Sequence, residues 1–199
     1  MSKSGNSDIV LNITSGEYGQ VFGGNNESGD VKGSITVNID ETGCHPIIID
    51  ELYAGGNMAA YTTPTGKSEP TINVISCSHI GQVFGGGYGA TAIVTGNPIV
   101  NINQIPGIYD PDDQDGSDGY TANTNKLGTI GDVFGGGNAA KVVGSTHVNI
   151  GTQANNKHLT TGATDTPCGA NISGNVYGGG NQADVTGKTH VQVGATPSN

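Results

Sequence analysis

Residues 133–150 read VFGGGNAAKVVGSTHVNI, and this stretch decides the fold because the chain repeats it. Its opening phrase joins an apolar residue and an aromatic residue to a run rich in glycine. That phrase occurs five times, at residues 21–25, 52–57, 83–87, 133–138 and 176–181. Each copy is followed by a short apolar segment and then by a segment in which apolar and polar residues alternate. A unit of a few tens of residues that recurs in constant order is the sign of a repeat architecture.

Each unit contains three short β-type runs separated by glycine turns. The third run alternates strictly, as in Ile35-Thr36-Val37-Asn38-Ile39, which is the period of a strand with one buried face. Glycine disfavours helix, and 35 of the 199 residues are glycine. The pattern therefore predicts an all-β chain, a parallel β-helix (β-solenoid) of about five three-stranded coils. The fourth coil has five predicted inward positions: Val133, Ala140, Val142, Val148 and Ile150.

A sandwich or barrel of hairpins is the alternative β architecture. Hairpins pair unlike strands, whereas this sequence repeats like strands in the same order. In-register stacking of equivalent segments explains the repetition, so we favour the β-helix.

The spacing of the repeats predicts where the insertions lie. The five aromatic residues Phe22, Tyr53, Phe84, Phe134 and Tyr177 are 31, 31, 50 and 43 positions apart. Because the phrase is constant, the excess belongs to loops. Most of these follow the third strand at one corner, at about residues 40–49, 103–129 and 151–172, and a further loop at 61–69 interrupts the second unit. We expect one domain over 8–193, with flexible termini at 1–7 and 194–199.

Composition limits the classes of partner. The net charge is −10, with seven lysines scattered along the chain and no arginine. Nucleic acids and anionic lipids need clustered cations, so neither is an expected partner. No apolar run is long enough to insert in a membrane, and no signal peptide is visible. Three cysteines match neither a disulfide framework nor a zinc site, although Cys44 and Cys77 could meet at one corner.

Stacking predicts ladders of like side chains. The polar position of the third run predicts an outward amide ladder. Its members are Asn12, Asn38, Asn73, Asn101, Asn149 and Gln192. The functional interpretation is a surface that faces a sugar or ice, and we favour the alternative that axial hydrogen bonds stiffen the stack. The aromatic residues predict a second ladder, facing either inward or outward, and we favour a structural stack. His147 and His190 occupy one position in consecutive units and are expected side by side.

The glycine triplets resemble a phosphate-binding loop, since Gly85-Gly86-Gly87-Tyr88-Gly89-Ala90 fits G-x-G-x-x-A. A dinucleotide site also needs a following helix, and none is readable here. We expect these glycines to supply positive φ angles and close backbone approach at a corner of the coil instead.

The loops contain the candidate site residues. The acidic run 110–119 offers hard oxygen ligands suited to Ca²⁺, although a solvated loop is the simpler reading. The candidate calcium ligands are Asp110, Asp112, Asp113, Asp115 and Asp118. The candidate binding residues on the loop surface are Tyr109, Tyr120 and His158. No catalytic constellation is readable, so we expect neither an enzyme nor any cofactor besides calcium.

The Gly-Gly-Asn and Gly-Gly-Gly-Asn phrases, followed by A-x-V-x-G and T-x-V-x-I, resemble the repeats of bacterial β-helix surface proteins. These include adhesin-like proteins of gut bacteria and, more loosely, autotransporter passenger domains and chlamydial polymorphic membrane proteins. The resemblance covers roughly residues 8–193. It implies a non-enzymatic, adhesin-type or structural module at the cell surface, part of a longer exported protein. Its partner would be a host or community glycan or protein. Separately from the resemblance, the uncapped strands at both ends of the predicted stack indicate a second copy stacked head to tail as a possible partner. The alternative is a carbohydrate-active β-helix enzyme, a polysaccharide lyase or hydrolase.

Overall fold

The computed structural model describes residues 7–107, 126–159 and 166–194. Within these ranges the chain is all-β, with sixteen strands, β1 to β16 in chain order, and no helix. It follows that the described residues contain no helix long and apolar enough to cross a membrane.

The alternating third run of every unit forms one six-stranded parallel sheet. Its strands, in spatial order, are β1 (Ile9–Ile13), β3 (Ile35–Asp40), β6 (Thr71–Ser76), β9 (Ile99–Ile102), β12 (Thr146–Ile150) and β16 (Thr189–Val193). Spatial order equals chain order, so each unit places its strand directly beside that of the unit before it.

The other runs form two further parallel sheets. A five-stranded sheet contains β2 (Gly16–Phe22), β4 (Ile47–Tyr53), β7 (His79–Phe84), β10 (Thr129–Phe134) and β15 (Val176–Tyr177). A three-stranded sheet contains β5 (Tyr61–Thr62), β8 (Val94–Thr95) and β11 (Val142–Val143). Successive units thus return to the same sheets in the same order.

Strand pairing joins equivalent positions of successive repeats. Val133 pairs with Val83 and with Val176, and Asn73 pairs with Asn38 and with Asn101. Among the described strands, the one antiparallel pair is a short hairpin of β13 (Asn155–Asn156) and β14 (Thr166–Pro167). Pairing of like strands is what distinguishes the stacked arrangement from the hairpin alternative.

The apolar faces of the inner strands of the three parallel sheets pack into a common core. All five inward positions predicted for the fourth unit are 0–5% exposed. The aromatic side chains form a separate buried column, in which Tyr53 and Phe84 stack with ring centroids 4.7 Å apart and planes 4° apart. Phe84 stacks on Phe134 with the same geometry. The column is therefore largely buried and structural, although its last ring, Tyr177, is 43% exposed.

The glycine phrases of successive repeats are joined by backbone hydrogen bonds. Gly55 donates to Gly86, and Gly86 donates to Gly136, each across 3.0 Å. A Cβ on Gly86 would lie 2.6 Å from the amide nitrogen of Gly137, so the phrase needs glycine for close approach. Our expectation of positive φ angles in the phrase is wrong. Positive φ angles occur instead at the next corner, at Gly96 (151°) and Gly144 (149°).

Three predicted loops overlap strands, and Thr129, assigned to the loop at 103–129, begins β10. Tyr61 and Thr62, assigned to a loop, pair with Val94 and Thr95 in the three-stranded sheet. Ile47, assigned to the loop at 40–49, begins β4. The predicted insertion at 151–172 includes the β13–β14 hairpin, whose short polar strands carry no apolar alternation.

Candidate functional site

The outward face of the six-stranded sheet displays the predicted amide ladder. Nδ2 of Asn38 donates to Oδ1 of Asn12, and Nδ2 of Asn73 donates to Oδ1 of Asn38, each across 2.8 Å. Asn101 and Asn149 continue the series across 2.9 Å. Each internal amide uses one N–H group and one oxygen lone pair in hydrogen bonds to its two neighbours. The amide group has two of each, so the ladder retains hydrogen-bonding capacity toward solvent.

A buried carboxylate ends β3 and anchors the insertion that follows β12. Asp40 is 2% exposed, and its Oδ1 accepts hydrogen bonds from Ser76 Oγ at 3.1 Å and from Nδ1 of His158 at 2.5 Å. Its Oδ2 accepts the backbone N–H of Leu159 at 2.6 Å. A buried carboxylate is stable only when its oxygens are paired in this way.

The imidazole of His158 completes the contacts that hold the insertion on Asp40. We call the contacts of Asp40 with His158 and Leu159 the His158 clamp. His158 is 4% exposed, and its Nε2 lies 3.1 Å from the carbonyl oxygen of Pro106. Both ring nitrogens therefore contact oxygen acceptors of the protein. We expected His158 on the loop surface, but the structure places it in the interior, where it positions the insertion rather than facing a ligand.

Asn103, directly after β9, holds the beginning of the same insertion. Its Oδ1 accepts the backbone N–H groups of Thr152 at 2.8 Å and Gln153 at 3.2 Å, and its backbone oxygen accepts Nδ2 of Asn156 at 2.6 Å. Asn103 and the His158 clamp thus fasten residues 152–159 beside the amide ladder.

Between the ladder and the insertion lies a groove of about 180 Å³. Its lining consists of six carboxamides and three aliphatic side chains: Asn38, Asn73, Asn101, Asn103, Gln153, Asn156, Val74, Ile75 and Leu159. None of the lining side chains is charged. The groove can offer neutral hydrogen-bond donors and acceptors together with an apolar edge, where Leu159 is 55% exposed.

One lining amide has N–H groups that no described residue accepts. Asn103 is 4% exposed, and within the described residues its Nδ2 donates no hydrogen bond, whereas its Oδ1 accepts several. The two N–H groups of Asn103 are therefore available to a molecule in the groove.

A second buried polar cluster is centred on Glu41, the residue that follows Asp40. Glu41 is fully buried, and its Oε2 accepts the backbone N–H of Ile47 at 2.6 Å and Ser78 Oγ at 2.8 Å. Nearby Cys77 is also fully buried, and burial followed by the Glu41 charge raises the pKa of its thiol. A thiol held protonated is a poor nucleophile, so Cys77 is structural. Cys44, Cys77 and Cys168 form no disulfide bond.

Two other polar groups have displaced pKa values. Burial would raise the pKa of Glu69, but hydrogen bonds from Asn97 and Thr63 outweigh it and lower that pKa. Burial and a hydrogen bond to Glu51 raise the pKa of the Tyr53 phenol in the aromatic column. The hydrogen bonds of Glu69 join two repeats, since Asn97 belongs to the next unit.

His147 and His190 are side by side as predicted, with ring centroids 4.8 Å apart and planes 6° apart. Within the described part of the chain, no three His, Cys, Asp or Glu side chains converge on a possible metal position. The two rings stack in parallel, and Nδ1 of His147 is buried without a hydrogen-bond partner among the described residues.

The other predicted site residues, Tyr109 and Tyr120, lie outside the described residues, as do all five predicted calcium ligands, Asp110, Asp112, Asp113, Asp115 and Asp118. The calcium site stays a prediction.

Asp40, Asn103 and the insertion residues that form the groove were not singled out from the sequence. A signal existed for two of them, because Asp40 and Asn103 are the polar residues that directly follow the last inward apolar residue of the third run. Comparison with protein-family models, with curated proteins and with solved structures gave no match.

Proposed function

We propose that this chain is a stretch of parallel β-helix that serves as a non-enzymatic, adhesin-type binding module at a bacterial cell surface. One observation carries the proposal: a regular repeated scaffold bears insertions that leave it after strands of a single sheet. The insertions at 103–128 and 151–172 begin where the parallel strands β9 and β12 end, so both leave the six-stranded sheet at the same end of its strands. Loops that vary on a rigid repeat scaffold are the usual location of binding surfaces.

The chemistry of the described polar clusters supports binding rather than catalysis. The acids and the imidazole that come together, Asp40, Glu41 and His158, are at most 4% exposed and spend their hydrogen bonds on the protein itself. A general acid or base must reach a substrate proton. The groove, by contrast, is open and lined with neutral amides.

The experiment that tests the binding function uses the fluorescently labelled full chain on bacterial and animal cells. We expect saturable binding that excess unlabelled chain competes away. Binding to no cell type, or release of new reducing ends from polysaccharides incubated with the chain, would contradict the proposal.

The same module is proposed to stack head to tail on a second copy. Val191 and Val193 in β16 are 46% and 73% exposed, whereas their register partners Val148 and Ile150 are 0% and 5% exposed. Strand β1 at the opposite edge of the sheet has the same alternating pattern and offers a matching parallel edge. Head-to-tail contacts that do not close generate filaments. Sedimentation velocity at rising concentration should show growing species, and a constant monomer would rule this out.

A further inference from the structure

We infer that the groove between the amide ladder and the insertion binds a neutral saccharide. The inference rests on the proposed function and deepens it, because it names the ligand class of the binding module. The wall and floor of the groove are built from side chains of three consecutive repeats together with the insertion, and its lining is uncharged.

The floor offers a regular array of partly used amides. Asn38, Asn73 and Asn101 are neighbours in register, so their side chains lie about 4.8 Å apart along the stack. Each has one N–H and one lone pair committed to the ladder and one of each remaining. A sugar hydroxyl both donates and accepts, so a row of such amides can pair with hydroxyls on neighbouring carbons or on neighbouring sugar units.

The wall adds donors and an apolar surface. Nδ2 of Asn103 donates no hydrogen bond within the described residues, and Asn103 lines the groove, so its two N–H groups can pair with an oxygen of a bound molecule. Gln153 contributes an exposed amide, and Leu159 contributes an apolar side chain at the rim. The C–H face of a pyranose ring is the natural counterpart of such a side chain.

The charges and the strand geometry argue against other ligands. An anionic ligand would face a chain of net charge −10 with no cation in the groove lining. An extended peptide binds by adding a strand to an open sheet edge. The groove lies instead on the face of a sheet, beside strands that are paired on both sides. A neutral polyhydroxyl ligand is the class that fits.

The test uses the full chain on a printed array of neutral hexose and N-acetylhexosamine oligosaccharides, with uronate-containing and sulfated glycans beside them. Titration calorimetry with the best neutral oligosaccharide then gives its affinity. We expect binding to at least one neutral oligosaccharide and none to the acidic glycans. No binding, or binding to acidic glycans alone, would overturn the inference.

Two groove variants and one control locate the binding. Asn103→Asp keeps the oxygen that accepts the Thr152 and Gln153 amides but removes both free N–H donors, and Gln153→Ala removes an exposed amide without touching the core. Gln182→Ala removes an exposed amide far from the groove lining. We expect each groove variant to weaken binding at least tenfold and the control to leave it unchanged. If Asn103→Asp does not fold, the affinity of Gln153→Ala alone tests the inference. An unchanged affinity in a folded groove variant would overturn it.

The cell-binding assay separates this inference from the proposed function. Cell binding that persists without any neutral-glycan affinity rejects the groove ligand and leaves the adhesin-type function standing. Oligosaccharide binding that is lost in the groove variants, without cell binding, supports the groove ligand and rejects the function.

Discussion

The imidazole of His158 meets the buried carboxylate of Asp40 across 2.5 Å, although 118 positions of the sequence separate them. Asp40 is the last residue of β3, the second strand of the six-stranded sheet, and His158 belongs to the insertion after β12. This one contact therefore ties the insertion to a strand three positions away in the six-stranded sheet, across β6 and β9. The wall of the groove depends on it.

Replacement of His158 by alanine should release that wall. The change leaves the carboxylate of Asp40 buried without its imidazole partner, which costs about 3–5 kcal/mol for a broken buried pair. Hydrogen exchange should report loss of protection at the backbone N–H of Leu159, which Asp40 accepts. His79→Ala, at an exposed position, is the control and should change stability by less than about 0.5 kcal/mol. Unchanged protection at Leu159 would contradict the clamp.

The aromatic column should contribute strongly to stability at its centre and weakly at its end. Phe84 is fully buried between Tyr53 and Phe134, so Phe84→Ala should lower the free energy of unfolding by about 3–5 kcal/mol. Tyr177 is 43% exposed and stacks on one ring, and Tyr177→Ala should cost distinctly less. Urea denaturation followed by circular dichroism measures both. Equal losses in the two variants would show that the rings do not act as a stacked column.

The middle glycine of the phrase should tolerate a methyl group in one repeat and not in another. A Cβ on Gly86 would lie 2.6 Å from the amide nitrogen of Gly137, so Gly86→Ala forces neighbouring backbones apart and should cost about 3 kcal/mol. At the equivalent Gly179, no described atom lies within 4 Å of an added Cβ. Gly179→Ala should therefore fold with nearly unchanged stability, as thermal melts would show.

The same Gly179→Ala variant tests stacking on a second copy. If another chain continues the stack at this end, its glycine phrase would occupy the space that the new methyl group needs. We expect the variant to remain monomeric at concentrations where the parent chain associates in sedimentation velocity. Association equal to that of the parent chain would exclude this stacking geometry.

Glu69 should make stability depend on pH in the acid range. Its carboxylate accepts Thr63 Oγ1 at 2.7 Å and the backbone and side-chain nitrogens of Asn97, each at 2.8 Å. These bonds lower its pKa in the folded chain, so their contribution is complete above the ordinary value of 4.5 and is lost as the pH falls through the lowered value.

The comparison is between the parent chain and Glu69→Gln. The parent should be more stable by about 1–2 kcal/mol at pH 7, and the difference should shrink below pH 4.5. Glu27→Gln, at an exposed position, serves as the control in the same denaturation series. A difference that grows toward acid pH would reverse the sign of our argument.

The strands of the six-stranded sheet and their inward residues were predictable because apolar and polar residues alternate along them in the sequence. Val148 and Ile150 are examples, and both are buried. The strands of the five-stranded sheet extend further toward the N-terminus than the repeated phrase indicated. Gly81 and Gly131 interrupt the alternation of apolar and polar residues there, so the sequence did not reveal the full strands. These glycines lie inside strands where an added Cβ would press on the backbone of the preceding repeat.

The groove was not predictable from periodicity. The asparagines of its floor occupy a repeated position and could be predicted. Its wall belongs to the insertion after β12, which has no counterpart in the other repeats, so its position could not be predicted. The contacts that decide this, from His158 to Asp40 and from Asn103 to Thr152, join residues 118 and 49 positions apart. Such pairs leave no local pattern, since each polar residue alone is typical of a solvated loop.

The floor of the groove draws one asparagine from each of three successive repeats, and its wall comes from a segment after the fourth. Duplication or loss of whole repeats by unequal recombination would lengthen or shorten the scaffold without disturbing its register. The same event between Asn38 and His158 would separate the clamp from its carboxylate. Evolution can therefore change the length of this protein freely outside that interval, while the interval itself has to be inherited as a block.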